Sequence, residues 1–369
     1  MVVSVVLLLI FLAYNFSIIV LCIGFNRVKQ SVSFGLKPKI KFTIIVPFRN
    51  EAENLPMLLR SFSRLNYPQE LLEVILVDDD SDEFFQVPNL DFQVSVVKNN
   101  RISNSPKKDA ITTAMQRVTS NWVVTTDADC VVPENWLLAY DNYIQKNQVE
   151  MVAGAVTYRI QDSFLHHFQQ LDLASLQGAT IGSFGLNKGF ICNGANFAYT
   201  KNFFQQLNGF EGNDSIASGD DVFLLQKAVA YSPEKVRYLK SKEAIVITQP
   251  LNQWEGLFHQ RVRWASKAGS YQSQFGVFLG LIVFFGNLSV LLGILFCGFN
   301  CISFHYFLLL VLSKVLIDSI LIYKTNRFLT QKKIRYLILS SLFYPFFSTA
   351  VALYSLFGKY EWKGRTFKK

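Results

Sequence analysis

The stretch Trp122-Val-Val-Thr-Thr-Asp-Ala-Asp129 decides how the rest of the chain reads. Trp122 to Thr126 has the aromatic and β-branched make-up of a buried strand, and it runs straight into two carboxylates. The same order recurs on the N-terminal side. Phe42-Thr-Ile-Ile-Val46 is a strand pattern that ends in Pro47-Phe48-Arg49-Asn50-Glu51, and Val74-Ile-Leu-Val77 is one that ends in Asp78-Asp79-Asp80-Ser81-Asp82. Helical segments alternate with these strands: Glu51 to Phe62, Pro106 to Val118 and Pro133 to Gln145, the last two with proline in the first turn. Strands alternating with helices predict an α/β fold with a mainly parallel, Rossmann-like sheet. Such sheets bind ligands beyond the carboxyl ends of their strands, which is where the acids fall.

Carboxylates gathered on one sheet edge repel unless a positive charge sits among them. A divalent cation, Mg²⁺ or Mn²⁺, is the economical answer, with Asp127 and Asp129 as ligands beside phosphate oxygens. Asp-x-Asp alone reads equally well as a solvated turn, so the later segments carry the weight. Cys192-Asn-Gly-Ala-Asn196 is a run of small residues that lets backbone approach a ligand closely. Ser218-Gly219-Asp220-Asp221 opens the helical run Val222–Ala230. A carboxylate there reads two ways, as a helix cap or as a base aimed at a reacting hydroxyl. A helix predicted over Asn252–Tyr271 holds Gln260, Arg263 and Trp264 at i, i+3 and i+4, hence on one face. That face suits phosphate binding and stacking on a sugar ring, or else a helix lying in a membrane interface.

The chain is 369 residues long and half hydrophobic, with 34 Phe. Val2–Gly24, Phe275–Cys297, Ser303–Tyr323 and Tyr336–Phe357 are each long enough to span a bilayer. The net charge of +9 is unevenly placed: residues 42–271 hold 25 acidic against 20 basic side chains, whereas the flanks hold 16 basic and 2 acidic. The basic balance therefore reports membrane flanks, not nucleic-acid binding. Arg27, Lys29, Lys37, Lys39 and Lys41 follow the first run, which puts the acidic domain in the cytoplasm. The expected organisation is an N-terminal anchor over 1–25, a cytoplasmic domain over 41–271, apolar helices over 275–358 and a basic tail over 359–369. If the last run spans, the tail lies outside, against the charge rule; Pro345 mid-run leaves room for a re-entrant hairpin. Lys314 and Asp318 in the third run read as a transport path or as a mutually neutralised pair facing a neighbouring helix. Five cysteines lack any metal-ligand spacing, and free thiols are expected.

With these motifs in order, the chain resembles the inverting family-two glycosyltransferases of GT-A fold, the membrane group of cellulose, chitin and hyaluronan synthases and ceramide glucosyltransferases. The shared signature is an Asp after the second strand, Asp-x-Asp, an acidic-Asp pair and Gln-x-x-Arg-Trp. The resemblance implies a metal-dependent hexosyltransferase that moves a sugar from a nucleotide-sugar donor, UDP-sugar foremost, to a lipid or growing saccharide acceptor at the inner membrane. It implies that Pro47, Arg49 and Glu51 border the nucleotide and that Asp79 contacts its base. Asp127 and Asp129 would hold ribose, diphosphate and metal, with Asp221 the general base. Asp220, Gln260, Arg263 and Trp264 would bind diphosphate and acceptor. Asp220 departs from the family, which has Glu there, and which of Asp78–Asp80 matches the family position is open by one residue. Two other readings stand beside this one. A polyprenyl-phosphate sugar synthase normally lacks Gln-x-x-Arg-Trp. A silent nucleotide-sugar-binding subunit of an export complex has no need of the full acidic set.

Overall fold

The computed structural model describes residues 2–32, 35–213, 218–357, 360–362 and 365–367. Three buried apolar strands form the middle of the sheet: β1 (Phe42–Phe48), β2 (Leu72–Asp78) and, after β3 (Gln93–Lys98), β4 (Trp122–Thr125). β1 pairs in parallel with β2 and with β4, and β2 in parallel with β3. β5 (Met151–Gly154), β6 (Val156–Tyr158), β7 (Phe197–Thr200), β8 (Val236–Leu239) and β9 (Val246–Thr248) complete the domain. The main sheet runs β3-β2-β1-β4-β7-β5-β8, with β7 antiparallel to both neighbours. β6 and β9 pair separately. The chain winds outward from β1 in one direction and resumes at β4 on the other side. The carboxyl ends of β1 and β4 therefore flank a topological switch point, the usual ligand crevice of such sheets.

The helices are α1 (Val2–Arg27), α2 (Leu55–Phe62), α3 (Pro106–Met115), α4 (Trp136–Lys146), α5 (Phe164–Gly185), α6 (Lys201–Gln206), α7 (Asp220–Tyr231) and α8 (Trp254–Ser266). α9 (Gln274–Gly298), α10 (Phe304–Leu329) and α11 (Leu337–Phe357) follow. Several begin or end short of the sequence expectation. α2 starts at Leu55 because the segment before it is held by side chains of the β2 loop, with Asn50 at φ 52°. α4 starts at Trp136, whose N–H closes a turn onto the Pro133 carbonyl. α8 stops at Ser266, before a single 3₁₀ turn at Ala268–Ser270.

Four helices, α1, α9, α10 and α11, are long and apolar enough to cross a membrane. α5 lies between them and the sheet. It crosses α1 with backbone almost touching backbone: a Cβ on Gly182 would sit 2.6 Å from the Leu21 carbonyl oxygen, so only glycine fits there. Lys314 and Asp318 form a 2.7 Å ion pair within α10 that faces α1, where Asp318 accepts from Tyr14 Oη and the Lys314 ammonium stands 4.5 Å over the Tyr14 ring. That is the neutralised pair. All five cysteines are free. α11 is one continuous helix through Pro345, not a hairpin of two half-helices. Beyond it, β10 (Tyr360–Trp362) and β11 (Arg365–Phe367) pair antiparallel, and β10 packs against α8. Of the tail cations, Lys359, Lys363, Lys368 and Lys369 lie outside the described residues.

Candidate functional site

The switch point opens into a cleft of ≈ 1100 Å³. Every candidate residue lines it: Pro47, Arg49 and Glu51 after β1, Asp79 after β2, and Asp127 and Asp129 after β4. Asp220 and Asp221 come from the start of α7, and Gln260, Arg263 and Trp264 from one face of α8. These positions span more than 200 residues of sequence, and the winding of the sheet brings them together.

The β2 end assigns one of three consecutive acids to the cleft. Asp78 accepts from the Ser81 N–H and so closes its own turn. Asp80 is exposed and faces Arg49 at 3.8 Å. Asp79 is buried, and only it lines the cleft, accepting 2.7 Å from Asn99 Nδ2 and standing 3.5 Å from Arg101. Arg49 in turn donates to the Asp79 and Asp80 carbonyls, tying the β1 loop to the β2 loop.

Lys107, in the first turn of α3, joins the two acidic groups. Its ammonium lies 2.6 Å from Asp127 and 3.4 Å from Asp220. Burial works against its charge, but Asp127, Asp220 and Asp221 outweigh that and raise its pKa. The adjacent acids of α7 are pushed apart. Burial, countered by Lys107, raises Asp220. Burial also works on Asp221, but Lys267 and Lys107 together with the Val222 and Gly194 N–H groups win, and Asp221 is held below the usual carboxylate range. Gly194 makes this possible: a Cβ there would stand 2.9 Å from an Asp220 oxygen. The small-residue run Cys192–Asn196 thus serves the α7 carboxylates, with Asn196 locked in the core by Trp136, Tyr140 and two carbonyls.

Asp129 is the strained member of the set. Burial first, then the charges of Asp127 and Glu51, push its carboxyl up to about 6. Among the described residues, no group of three or more His, Cys, Asp and Glu is placed to hold a metal ion alone. Two carboxylates in surplus negative field fit a divalent cation that takes its other oxygens from phosphate and water, the habit of Mg²⁺ and Mn²⁺.

On α8, Arg261 points away from the cleft. It pairs with Asp172 of α5 at 2.5 Å, both side chains buried. It also donates to Gln260 Oε1 and lies 4.2 Å over the Trp264 ring. Arg261 therefore holds two cleft-facing neighbours from behind. Sequence reasoning passed over Lys107, Lys267, Arg261 and Asp172. Lys107 carried one cue, since a lysine in a helix's first turn opposes the macrodipole unless acids offset it.

The cleft is not wholly polar. Leu173, Leu176 and Thr180 of α5, with Val156, Ile191 and Tyr354 of α11, form an apolar flank on the side of the apolar helices.

Comparisons with known proteins bear on this architecture. Residues 43–207 match the family model described as "Glycosyl transferase family 2", which takes in β1 through α6 and ends before Asp220. A Bacillus subtilis (strain 168) protein named "Probable glycosyltransferase YdaM" is 23% identical over 243 residues, 63% of this chain and 56% of the relative. The chain thus spans little more than half the length of that relative. Among solved structures, the mannosyltransferase PcManGT from Pyrobaculum calidifontis, in complex with GDP-Man and Mn²⁺, covers 96% of each chain with a TM-score of 0.54 at 16% identity. The fold is accordingly the Rossmann-like GT-A arrangement, a mostly parallel mixed sheet with one N-terminal and three C-terminal apolar helices.

Proposed function

We propose that the protein is an inverting glycosyltransferase that draws a sugar from a nucleotide-sugar donor onto a lipid or saccharide acceptor at a membrane surface. One observation carries this reading: Asp221 shares a single cleft with Asp79, the Asp127–Asp129 pair and the Gln260–Trp264 face. In this reading Asp79 meets the base, flanked by Pro47, Arg49 and Glu51. Asp127 and Asp129 hold the donor's ribose and diphosphate, and they would hold a divalent cation, which would supply positive charge to the leaving diphosphate. Gln260 and Arg263 bind that diphosphate, and Trp264 packs against the acceptor beside Asp220. Asp221 accepts the proton of the acceptor hydroxyl as its oxygen bonds the anomeric carbon, and displacement from the opposite side inverts the centre. Lys107 keeps Asp127 and Asp220 from repelling each other before substrate arrives. The apolar flank formed by α5 and Tyr354 supports an acceptor that reaches the cleft from the bilayer.

The shifted carboxyl of Asp129 gives a test that needs no turnover. Its folded pKa of about 6 lies above that of an ordinary Asp. The folded protein alone therefore gains from protonation in acid, and that gain is lost as pH rises through about 6. Above it the charged site is the one a cation relieves. Mn²⁺ with a UDP-sugar should raise the thermal midpoint clearly at pH 7.5 and little at pH 5. An equal rise at both pH values, or none at 7.5 with either UDP- or GDP-sugars, contradicts the donor site.

The C-terminal side supports one answer to the charge conflict seen in the sequence. One face of α11 packs on α5 and α8 of the domain and another on α9. Tyr336 just before it packs on Phe164, Phe347 on Phe168, and Tyr354 on Phe258. With β10 against α8 as well, we infer three crossings and a tail on the domain's side of the membrane, the cytoplasmic side. A C-terminal green fluorescent protein fusion in a bacterial host should fluoresce, while a C-terminal alkaline phosphatase fusion stays inactive. The opposite pair of results excludes this topology.

A further inference from the structure

A second cavity, of ≈ 380 Å³, opens where α1 ends, away from the catalytic cleft. Its lining is unusual in charge. Arg27 ends α1 and Lys29 follows it, Lys146 ends α4 and Arg237 lies in β8, so three separate segments deliver four cations to one pocket. Among the described residues, no carboxylate lines it. A fifth cation is tied to the end of α1. The Lys240 ammonium donates 2.8 Å to the Phe25 carbonyl and 3.1 Å to that of Val28, and it stands 3.8 Å over the Phe25 ring. Burial, and then the like charge of Lys324 at the end of α10, push Lys240 down to about 8.

Like charges gathered in one concavity repel one another and favour an anion among them. The position of the pocket says which anion. The apolar run of α1 ends at its rim, so the opening lies at the depth where phospholipid headgroups sit beside a spanning helix. Phe184 and Gly185 of α5 and Tyr143 put apolar surface next to the cations, beside the amides of Gln30, Asn147 and Asn187.

We propose that this pocket binds the phosphate of an anionic phospholipid headgroup and so fixes the catalytic domain against the membrane at the foot of α1. The proposal rests on the reading that α1 crosses the bilayer. The test uses the full-length protein in neutral detergent, with phosphatidylglycerol or phosphatidylcholine added and retained lipid counted by native mass spectrometry. Wild type should retain phosphatidylglycerol and shed phosphatidylcholine. The double variant Lys29→Gln with Lys146→Gln should retain about 25-fold less phosphatidylglycerol, since each cation near an anionic surface is worth about fivefold. Arg237→Gln, from a different segment, should lower retention in the same direction. Inorganic phosphate at millimolar concentration should not displace the lipid; if it does, the pocket serves a soluble anion and the proposal falls. Flotation with vesicles of phosphatidylcholine alone separates the two readings. If wild type does not float, the membrane reading fails and takes lipid as the source with it. If wild type and variants all float but phosphatidylglycerol retention is unchanged in the variants, the pocket proposal alone is overturned.

Discussion

Asp221→Asn is expected to lower sugar transfer by about 10²–10⁴-fold, the usual worth of a positioned general base, while the donor binds as tightly as before. The expectation follows from how the side chain is held. Lys267 at 4.0 Å, Lys107 beyond it and the N–H groups of Gly194 and Val222 hold Asp221 below the usual carboxylate range. A sugar hydroxyl is a poor nucleophile, and of the two α7 acids Asp221 is the one held below the usual carboxylate range, whereas burial pushes Asp220 up. The amide has nearly the same shape and fills the same space, so the cleft and the Asp127–Asp129 pair stay in place. Transfer is read as labelled product per enzyme, and donor affinity by calorimetry on the same sample. Turnover in the variant within threefold of wild type removes Asp221 from the role of base. Lost donor binding would make it a structural residue.

The second large effect is on stability. Asp172→Ala should destabilise the protein by about 3–5 kcal/mol, the cost of leaving one partner of a buried ion pair alone. Arg261 is buried beside Asp172. Without Asp172 its charge loses the carboxylate that it pairs with among the described residues, and the α5–α8 junction opens around Leu257, Val262 and Phe168. Removing both charges together, as Asp172→Leu with Arg261→Met, should restore most of the stability, because apolar replacement of a whole buried pair is often neutral or better. It should not restore full transfer, since Gln260 and Trp264 lose the guanidinium that positions them. Thermal unfolding in detergent follows the first expectation and product formation the second. If the single variant is as stable as wild type, the pair is not what holds α8 to α5.

Much of this architecture is legible in the sequence for physical reasons. β1, β2 and β4 are buried on both faces, so their apolar runs are continuous and bounded by acids. Gln260, Arg263 and Trp264 announce a shared face because helical spacing is fixed. The four apolar helices declare themselves by length and composition. Other features left no local trace. β5 and β7 are four residues each, too short for a periodicity to stand out, and the antiparallel insertion of β7 depends on pairing with distant strands. Asp172 and Arg261 are 89 positions apart, and each reads alone as a surface charge on an amphipathic helix. The small-residue run around Gly194 was legible as a site of close approach, but what approaches is the Asp220–Asp221 pair. The path of α11 turns on aromatic contacts with Phe164, Phe168 and Phe258 that hydropathy alone does not register.

The central claim is that this cleft transfers a sugar by single displacement from a nucleotide donor. The most direct measurement supplies the purified full-length protein with Mn²⁺ or Mg²⁺, a panel of α-linked UDP- and GDP-sugars and a membrane-lipid extract, and reads the anomeric configuration of the product by NMR. A β-linked product from one donor, absent with Asp221→Asn, is the result expected. An α-linked product, or no consumption of any donor, would contradict the account.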